Sequence, residues 1–139
     1  MSEQLQSFLD KWIPTQIETG LDMHSGDPSS WIAVWSHRDP VSVFGAGVRA
    51  RSGWDDVLRT ITWVASRFGD CTDYDYELVS ADVDGDLAYT CGFERYTATR
   101  PDGESITNEL RVTQIYRREG GAWKLVHRHG DHPPDDPPE

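Results

Sequence analysis

The chain has 139 residues and a formal net charge of −11 at pH 7. This length accommodates one domain with a sizeable core and is too short for two. Nucleic acids and anionic membranes bind basic surfaces, so the acidic balance argues against both as partners. Part of the excess lies in residues 133–139, a Pro-rich acidic tail that we expect to be disordered, which leaves residues 1–132 as a single domain.

Two cysteines, Cys71 and Cys91, provide neither a disulfide framework nor a cysteine metal site. We see no signal peptide and no long apolar run, and we therefore expect a cytoplasmic protein. The six tryptophans are many for this length. Large flat side chains of this kind form cores and also line apolar ligand pockets.

The first part of the chain predicts two helices. Apolar residues recur every three or four positions, the pattern of a helix with one buried face: Leu5, Phe8, Leu9, Trp12, Ile13, Ile17 and Leu21. Pro14 lies inside this pattern, and we expect it to kink or split the helix. A short second helix is predicted within residues 26–35, with Asp27 as the N-cap and Pro28 at the first helical position.

Residues 40–53 predict a strand, a glycine-rich turn and a short return strand. The Gly-Ala-Gly of this turn superficially matches a dinucleotide-binding fingerprint, but that motif requires a helix to open at its second glycine. The next helix is instead predicted over residues 52–68, where Ser52 and Asp55 form a capping box. Trp63 lies off the apolar stripe of this helix, so a second surface must cover it or leave it exposed.

From Asp73 onward the apolar period changes to two, the period of a strand. We predict an antiparallel meander with a bulge at Leu78–Val79 and with hairpin turns at residues 84–85, 101–103 and 119–121. Helices followed by such a meander are typical of an α+β fold. We expect three N-terminal helices to pack on one face of a curved, mainly antiparallel sheet.

The lengths of the last two turns predict which residues are partners across the strands. Three rows result: Cys91–Thr113–His127, Phe93–Arg111–His129 and Arg95–Glu109–Asp131. These odd-numbered positions share one sheet face with Ile115, Trp123 and Leu125. Because this face is charged at one end and apolar at the other, we expect it to line a cavity with a dry base and a polar mouth.

The opposite, even-numbered face mixes apolar and polar side chains: Leu110, Val112, Gln114, Tyr116, Lys124, Val126 and Arg128. No predicted helix is left to cover it. A half-apolar face of this kind predicts a homodimer that forms through the convex face of the sheet.

Three segments of the chain resemble the nuclear transport factor 2-like superfamily, in its SnoaL-like and ketosteroid-isomerase-like branch: residues 26–35, 41–57 and 110–131. The last is the most specific, because a Thr-bearing strand and an Arg-Arg-x-Gly turn lead into Trp-Lys and a His-x-His strand. The resemblance implies a cone-shaped, cystatin-like α+β half-barrel with a ligand cavity between helices and sheet, usually as a dimer. It implies less about activity, since this superfold hosts isomerases, cyclases, dehydratases, epoxide hydrolases and binders.

Carried over residue by residue, the resemblance favours no single chemistry. Phe44 stands where a steroid isomerase has its carboxylate base, and Thr113 stands where it has the acid that stabilises the oxyanion. Of the Asp-Arg-Asp set of the epoxide hydrolases only Arg111 is present. The polyketide cyclases use an Asp/His type of acid–base pair, for which this chain offers four candidates: His127, His129, Glu109 and Asp131.

The two histidines of the His-x-His strand leave three interpretations open: a metal site, a pocket acid–base pair, or structural hydrogen bonding. Arginines predicted beside the neighbouring carboxylates would repel a metal ion, so we expect none. Glu109 is either an ion-pair partner that holds the cavity mouth or a base. Arg111 either stabilises developing negative charge or anchors an anionic ligand group.

We therefore predict a small-molecule-binding protein with an apolar or aromatic ligand, and as its enzymatic form a cofactor-free isomerase, cyclase or dehydratase. In that form His129 or His127 shuttles a proton, and Glu109 or Asp131 orients it. The other residues expected at the ligand are Arg111, Arg95, Thr113, Phe93, Trp63, Phe44 and Trp35. The alternatives are a non-catalytic sensor or carrier with the same pocket, and an oligomerisation module.

Overall fold

The structure, a computed structural model, describes residues 2–135. Three helices precede or interrupt a series of six strands. In chain order the elements are α1 (Glu3–Met23), α2 (Ser29–Val34), β1 (Ser42–Gly45), β2 (Val48–Ser52), α3 (Trp54–Ala65), β3 (Asp70–Asp84), β4 (Leu87–Thr99), β5 (Ser105–Glu119) and β6 (Ala122–Asp131). Residues 136–139 of the predicted tail lie outside the described residues.

The six strands form one sheet in the order β2-β1-β6-β5-β4-β3. All neighbours are antiparallel except β1 and β6, which run parallel. The helices pack against one face of this sheet, so the predicted α+β fold with three helices on a mainly antiparallel sheet is confirmed. Among residues 2–135, none of the helices combines the length and the hydropathy that a membrane crossing requires.

Helix α1 runs without a break through Pro14, so the expected split does not occur. Its buried face combines Phe8, Leu9 and Trp12 of the apolar pattern with four residues that the pattern did not include: Gln16, Thr19, Gly20 and Met23. Ile17 and Leu21, expected in the core, are 37% and 36% exposed. The helix therefore turns a mixed face, not a purely apolar one, towards the sheet.

Gly20 lets α1 lie directly on the ring of Tyr74 from β3. A Cβ atom at this position would fall 2.3 Å from Tyr74 Cζ, closer than real side-chain contacts allow. One turn earlier, Gln16 Nε2 donates a hydrogen bond of 2.8 Å to the Tyr74 hydroxyl. This close approach brings a polar side chain of the helix to the middle of the sheet.

The predicted hairpins are present, and the β4–β5 register is confirmed: Cys91 pairs with Thr113, Phe93 with Arg111 and Arg95 with Glu109. The bulge predicted in β3 lies between Leu78 and Ser80. The β5–β6 register was wrong by two residues, since His129 pairs with Thr113 and Asp131 with Arg111. His127, which was expected opposite Thr113, lies opposite Ile115.

The wrong β6 register has two causes: the turn pairs Glu119 with Ala122, one residue away from the predicted alignment, and an unpredicted bulge between Ile115 and Tyr116 adds one more residue in β6. A bulge inserts one residue, and a shift of one residue turns every later side chain to the other face. Leu125, before the shift, is fully buried, whereas His127 and His129 beyond it point away from the helices. The odd-numbered side chains of the last three strands therefore do not face inward together.

The two faces of the sheet are exchanged relative to the prediction. In β4 and β5 the even-numbered residues are buried under the helices, among them Thr90, Glu94, Val112, Gln114 and Tyr116. The face that was expected to be uncovered is thus the one that the helices cover, with Phe8 and Trp12 of α1 packed edge-on against Tyr116. The argument for a subunit contact through that face was wrong, and a homodimer through the convex face stays a prediction.

Candidate functional site

A cavity of about 470 Å³ lies between the helices and the even-numbered face of the sheet. This volume is in the range of small-molecule sites in proteins. Much of its wall is apolar or aromatic, with contributions from Met23, Trp31, Trp35, Ile61, Phe68 and Leu110. The floor is different, because charged and polar side chains from the sheet converge there.

At the centre of the floor, Arg128 of β6 forms an ion pair with Glu94 of β4, with 2.5 Å between Nη2 and Oε1. The two side chains are 16% and 2% exposed. Gln114, on the strand between them, accepts a hydrogen bond of 2.8 Å from Arg128 Nη1. Burial alone would lower the pKa of Arg128, but the Glu94 carboxylate, together with the nearby Tyr74 and Tyr96, more than offsets this and the pKa is raised, so Arg128 stays charged.

The contact at Glu94 Oε1 rests on charge more than on aligned hydrogen bonding. No N–H or O–H group of residues 2–135 points squarely at this oxygen, although the guanidinium lies against it. A buried carboxylate with unused acceptor capacity is costly for folding alone. The Arg128 guanidinium is therefore the group that offsets this cost.

A chain of amides and phenols supports the ion pair from below. Gln114 Nε2 donates to Gln16 Oε1 at 2.9 Å and to the Tyr116 hydroxyl at 2.6 Å. Gln16 also accepts from Trp12 Nε1 at 3.1 Å. Burial holds the pKa of Tyr74 and of Tyr116 well above the usual range, so both phenols remain protonated donors. The network fixes the rotamers of the floor and connects the sheet to α1.

His24, at the C-terminal end of α1, forms part of the cavity wall. Its Nδ1 lies 2.7 Å from the carbonyl oxygen of Gly20, so Nδ1 carries the proton and donates it. Within residues 2–135 no hydrogen bond engages Nε2. Burial lowers the pKa of His24, although the Glu94 carboxylate acts in the opposite direction. The imidazole is therefore neutral at pH 7, with a free lone pair on Nε2.

Tyr96 of β4 stacks on His24, with 3.9 Å between the ring centroids. Its hydroxyl accepts a hydrogen bond of 3.0 Å from Asn108 Nδ2, which leaves its own proton available. Burial raises the pKa of Tyr96, which keeps this hydroxyl protonated. The stacked pair thus sets a proton acceptor next to a proton donor at one end of the cavity.

The rim of the cavity comes from the β1–β2 turn, the end of α3 and the end of β4. Trp63, 44% exposed, lies at this rim, and Trp35 forms part of the inner wall. Phe44 also borders the cavity, but its ring packs edge-on against His127 and His129 on the other face of the sheet, with ring centroids 5.1 and 5.5 Å apart. Trp35, Phe44 and Trp63 are three of the residues that the sequence led us to expect at the ligand. Arg67 and Arg100 also line the rim.

The other predicted site residues lie on the opposite face of the sheet, and the expectation that they line the cavity was wrong. The side chains of Arg95, Glu109, Arg111, His129 and Asp131 are between 41% and 50% exposed. The cause is that β4 and β5 turn their even-numbered residues inward, and that the bulge reverses β6. Phe93 and Thr113 share the outer face with them.

On the outer face these residues pair with one another. Arg111 donates to both carboxylate oxygens of Asp131, at 2.9 and 3.1 Å, which lowers the pKa of that carboxyl group. Arg95 Nε donates to Glu109 Oε2 at 2.6 Å, and the Arg95 guanidinium lies over the ring of Phe93. The acid–base role expected of Glu109 and Asp131 stays a prediction, but it is now a prediction about an open surface.

The two histidines of the His-x-His strand also have local partners. His127 Nδ1 lies 2.8 Å from Ser42 Oγ, and His129 Nε2 lies 4.0 Å from Asp131 Oδ2. Burial lowers the pKa of His127, as does the neighbouring His129. In the part of the chain that the structure describes, no three His, Cys, Asp or Glu side chains converge in a way that would hold a metal ion.

Sequence reasoning missed five residues that form the floor and one wall, and a sixth, Gln114, that supports the floor from below: His24, Glu94, Tyr96, Arg128, Gln16 and Gln114. One signal was available. Glu94, Gln114 and Arg128 all lie on the face that also carries Val112 and Tyr116, and charged residues amid a buried apolar pattern indicate a functional cluster. We had assigned that mixture to a subunit contact.

A SnoaL-like domain family model matches residues 21–134 of the chain. No significant match was found among the curated proteins. The match covers all the strands, α2, α3, and the end of α1 with the residue that caps it, His24.

Among solved structures, the chain is similar to a nuclear transport factor 2-like "putative dehydratase" from Streptomyces avermitilis, with a TM-score of 0.73, 20% identity, and coverage of 91% of this chain and 97% of that one. A nuclear transport factor 2-like superfamily protein from Salmonella enterica matches with a TM-score of 0.73 and 20% identity, and the match covers 94% of each chain. A nuclear transport factor 2-like protein of unknown function from Pseudomonas putida matches with a TM-score of 0.69 and 26% identity, and the match covers 97% of this chain and 91% of that one. The predicted superfamily and its SnoaL-like branch are thus confirmed.

The buried ion pair predicts strong coupling between its partners. Replacing Arg128 by Leu leaves the Glu94 carboxylate unpaired, which we expect to lower the free energy of unfolding by about 3–5 kcal/mol. The double variant with Glu94→Leu removes both charges and should lose much less than the single one. Urea denaturation of the wild type, both single variants and the double variant measures the coupling.

The matched control is the exposed pair Arg111 and Asp131 on the outer face, replaced by Leu in the same way. Solvent screens this pair, so its coupling energy should be small. A coupling energy at Glu94 and Arg128 no larger than that of the control pair would contradict the buried arrangement.

We expect the pKa of His24 to lie below 6.5, because burial disfavours the charged form of the imidazole. The unfolded chain binds this proton near 6.5, so His24 makes the folded state progressively less stable as the pH falls from 6.5 towards the folded pKa. An NMR titration of the His24 Cε1–H resonance measures this pKa. The resonance is assigned by its absence from the spectrum of His24→Asn. A titration midpoint at or above 6.5 would show that His24 is not buried as described.

Proposed function

We propose, on the premise that the chain belongs to the SnoaL-like domain family, that it is an enzyme acting on a small organic molecule. Its reaction begins with removal of a proton from a carbon next to a carbonyl group and ends in a dehydration or an isomerisation. The side chains of the cavity are sufficient for this acid–base chemistry.

A single observation carries the proposal. A neutral His24, held by the Gly20 carbonyl through Nδ1, turns an unengaged Nε2 to a cavity whose floor is the Glu94–Arg128 ion pair. A purely structural interior would satisfy its polar groups with protein partners. Here a base, a hydroxyl donor and a fixed cation surround space of ligand size.

The reaction can be written on this geometry without any other group. His24 Nε2 accepts the proton from the carbon beside the carbonyl, and the C–H electron pair becomes the new C=C bond of an enolate. In a dehydration the enolate expels hydroxide from the next carbon, and the protonated His24 returns its proton to that hydroxide, which leaves as water. In an isomerisation the same proton is returned to a different carbon.

Negative charge on the enolate oxygen needs hydrogen-bond donors that are held in place. The Tyr96 hydroxyl and the Arg128 guanidinium both reach the cavity from the sheet, and neither depends on a conformational change to be in place. Donors that are already oriented stabilise charge as it develops and are the largest contribution in many enzymes of this type. The dehydratase name of the Streptomyces avermitilis structure is consistent with the elimination form of this reaction.

The cavity walls also suit a non-catalytic carrier of an apolar ligand. Trp31, Trp35, Phe68 and Leu110 provide flat apolar surfaces that bind rings without chemistry. A carrier would retain its ligand affinity when His24 is replaced, and no proton would be exchanged. The following experiment therefore separates the enzyme from the carrier.

A fused-ring ketone, 2-tetralone, serves as the probe of proton abstraction. In D2O, proton NMR follows the exchange of the hydrogens next to its carbonyl group in the presence of the protein. We expect the wild type to accelerate this exchange. The protein-dependent exchange rate should be about a hundredfold lower in His24→Asn than in the wild type, because a positioned base usually contributes about that much. Tyr96→Phe should also reduce the rate, because it removes the donor to the enolate.

The matched control is His37→Asn, since His37 is exposed and lies outside the cavity lining. It should exchange the ketone hydrogens at the wild-type rate. Binding of 2-tetralone without protein-dependent exchange, or equal exchange by the His24 and His37 variants, would refute the proposed chemistry and leave the carrier.

A further inference from the structure

We propose that the ligand of this cavity is an organic acid: an apolar or aromatic body with one anionic group, which Arg67 and Arg100 bind at the rim. The inference rests on the proposed function in one respect, because it takes the cavity as the ligand site. It adds the charge of the ligand and its orientation, neither of which follows from the acid–base groups.

The charges that line the cavity are the first evidence. Beyond its histidines, the lining contains one carboxylate, Glu94, and three guanidinium groups, those of Arg67, Arg100 and Arg128. Glu94 and Arg128 neutralise one another in the buried ion pair. The two charges that remain are both positive and both lie at the rim, in a chain whose formal net charge is −11.

Arg67 and Arg100 lack carboxylate partners among the described residues. Most other arginines of the chain do have them: Arg38, Arg59, Arg95, Arg111, Arg117, Arg118 and Arg128. Acidic side chains are abundant in this protein, so a shortage of partners does not explain the difference. Two guanidinium groups left without carboxylate partners beside a cavity are positioned to bind an external anion.

The local structure holds these two arginines in neighbouring segments. Arg67 follows α3 and its guanidinium lies 5.1 Å from the ring centroid of Trp63, another rim residue. Arg100 follows β4. The two segments touch at Gly69, whose N–H donates to the Thr99 carbonyl at 2.7 Å, and where a Cβ atom would lie 3.0 Å from the Arg100 carbonyl oxygen. Arginines on two joined segments can approach one carboxylate or sulfonate from two sides.

This placement orients the ligand. Its anionic group would lie at the rim, its apolar body against Trp31, Trp35 and Phe68, and its reactive carbon at the end where His24 and Tyr96 stack. In a chain with a formal net charge of −11, the two arginines make the rim a local positive site that attracts an anion. A neutral ligand would gain nothing from either arginine.

Two naphthalene dyes that differ by one anionic group test the proposal. They are 8-anilinonaphthalene-1-sulfonate and N-phenyl-1-naphthylamine, and the fluorescence of both rises in an apolar site. At low salt we expect the sulfonate to bind the wild type about tenfold more tightly than the neutral dye, from charge-assisted hydrogen bonds to the arginines. In the double variant Arg67→Gln/Arg100→Gln this preference should disappear, while the affinity for the neutral dye stays within about twofold.

Arg49→Gln/Arg51→Gln is the matched control, since it removes the same charge from the same end of the molecule. Like Arg67 and Arg100, both of these arginines lack carboxylate partners among the described residues. Val48 of β2 lines the cavity, and side chains alternate along a strand, so Arg49 and Arg51 point to the other face of the sheet. The control variant should keep the preference for the sulfonate. An equal loss in the control would mean that net charge, not the rim, sets the preference, and would overturn the proposal.

The remaining outcomes separate this inference from the proposed function. If the neutral dye binds the wild type as tightly as the sulfonate or more tightly, the cavity is a ligand site but the anionic ligand is refuted. If neither dye binds, the cavity does not accept an apolar body, and both proposals fail. Circular dichroism of each variant checks that a lost signal does not reflect unfolding.

Discussion

The structure depends on one buried electrostatic contact, the ion pair between Glu94 and Arg128. Removing two opposite charges from water costs more than an apolar pair would, unless the surroundings supply further hydrogen bonds. Gln114 and, through it, Gln16 of α1 supply them, so the helix is tied to the sheet through polar contacts in the interior. An apolar floor would stabilise the fold at least as well, which is why we interpret the ion pair as a ligand site.

Much of the fold could be predicted because its signals are local. The helical periodicity before residue 69, the hairpin turns and the β3 bulge each follow from a few adjacent residues, and the β4–β5 register follows from one turn. The face of the sheet that carries the helices could not be read in the same way. Ile17 and Leu21 are exposed while Gln16 and Thr19 are buried, so α1 itself does not show which side it packs.

The candidate site was misplaced for two physical reasons. Tyr116 and Leu125 face each other inward, but the bulge after Ile115 reverses the rest of β6, and nothing in the sequence at that point announces an extra residue. The mixed polar and apolar residues of the inner face were also interpreted as a subunit contact, an interpretation that fails where a buried floor is built from Glu94 and Arg128. Trp35, Phe44 and Trp63 border the cavity as expected, because none of them belongs to the three strands whose faces were exchanged.

The central claim is that a small molecule binds between the helices and the even-numbered face of the sheet. The six tryptophans report on it directly, since Trp31, Trp35 and Trp63 line the cavity whereas Trp12, Trp54 and Trp123 do not. A 1H–15N correlation spectrum recorded during titration with 2-tetralone should shift the indole resonances of the first three and leave the other three in place. Shifts confined to Trp12, Trp54 or Trp123, or no saturable shift of any cavity indole, would contradict the account.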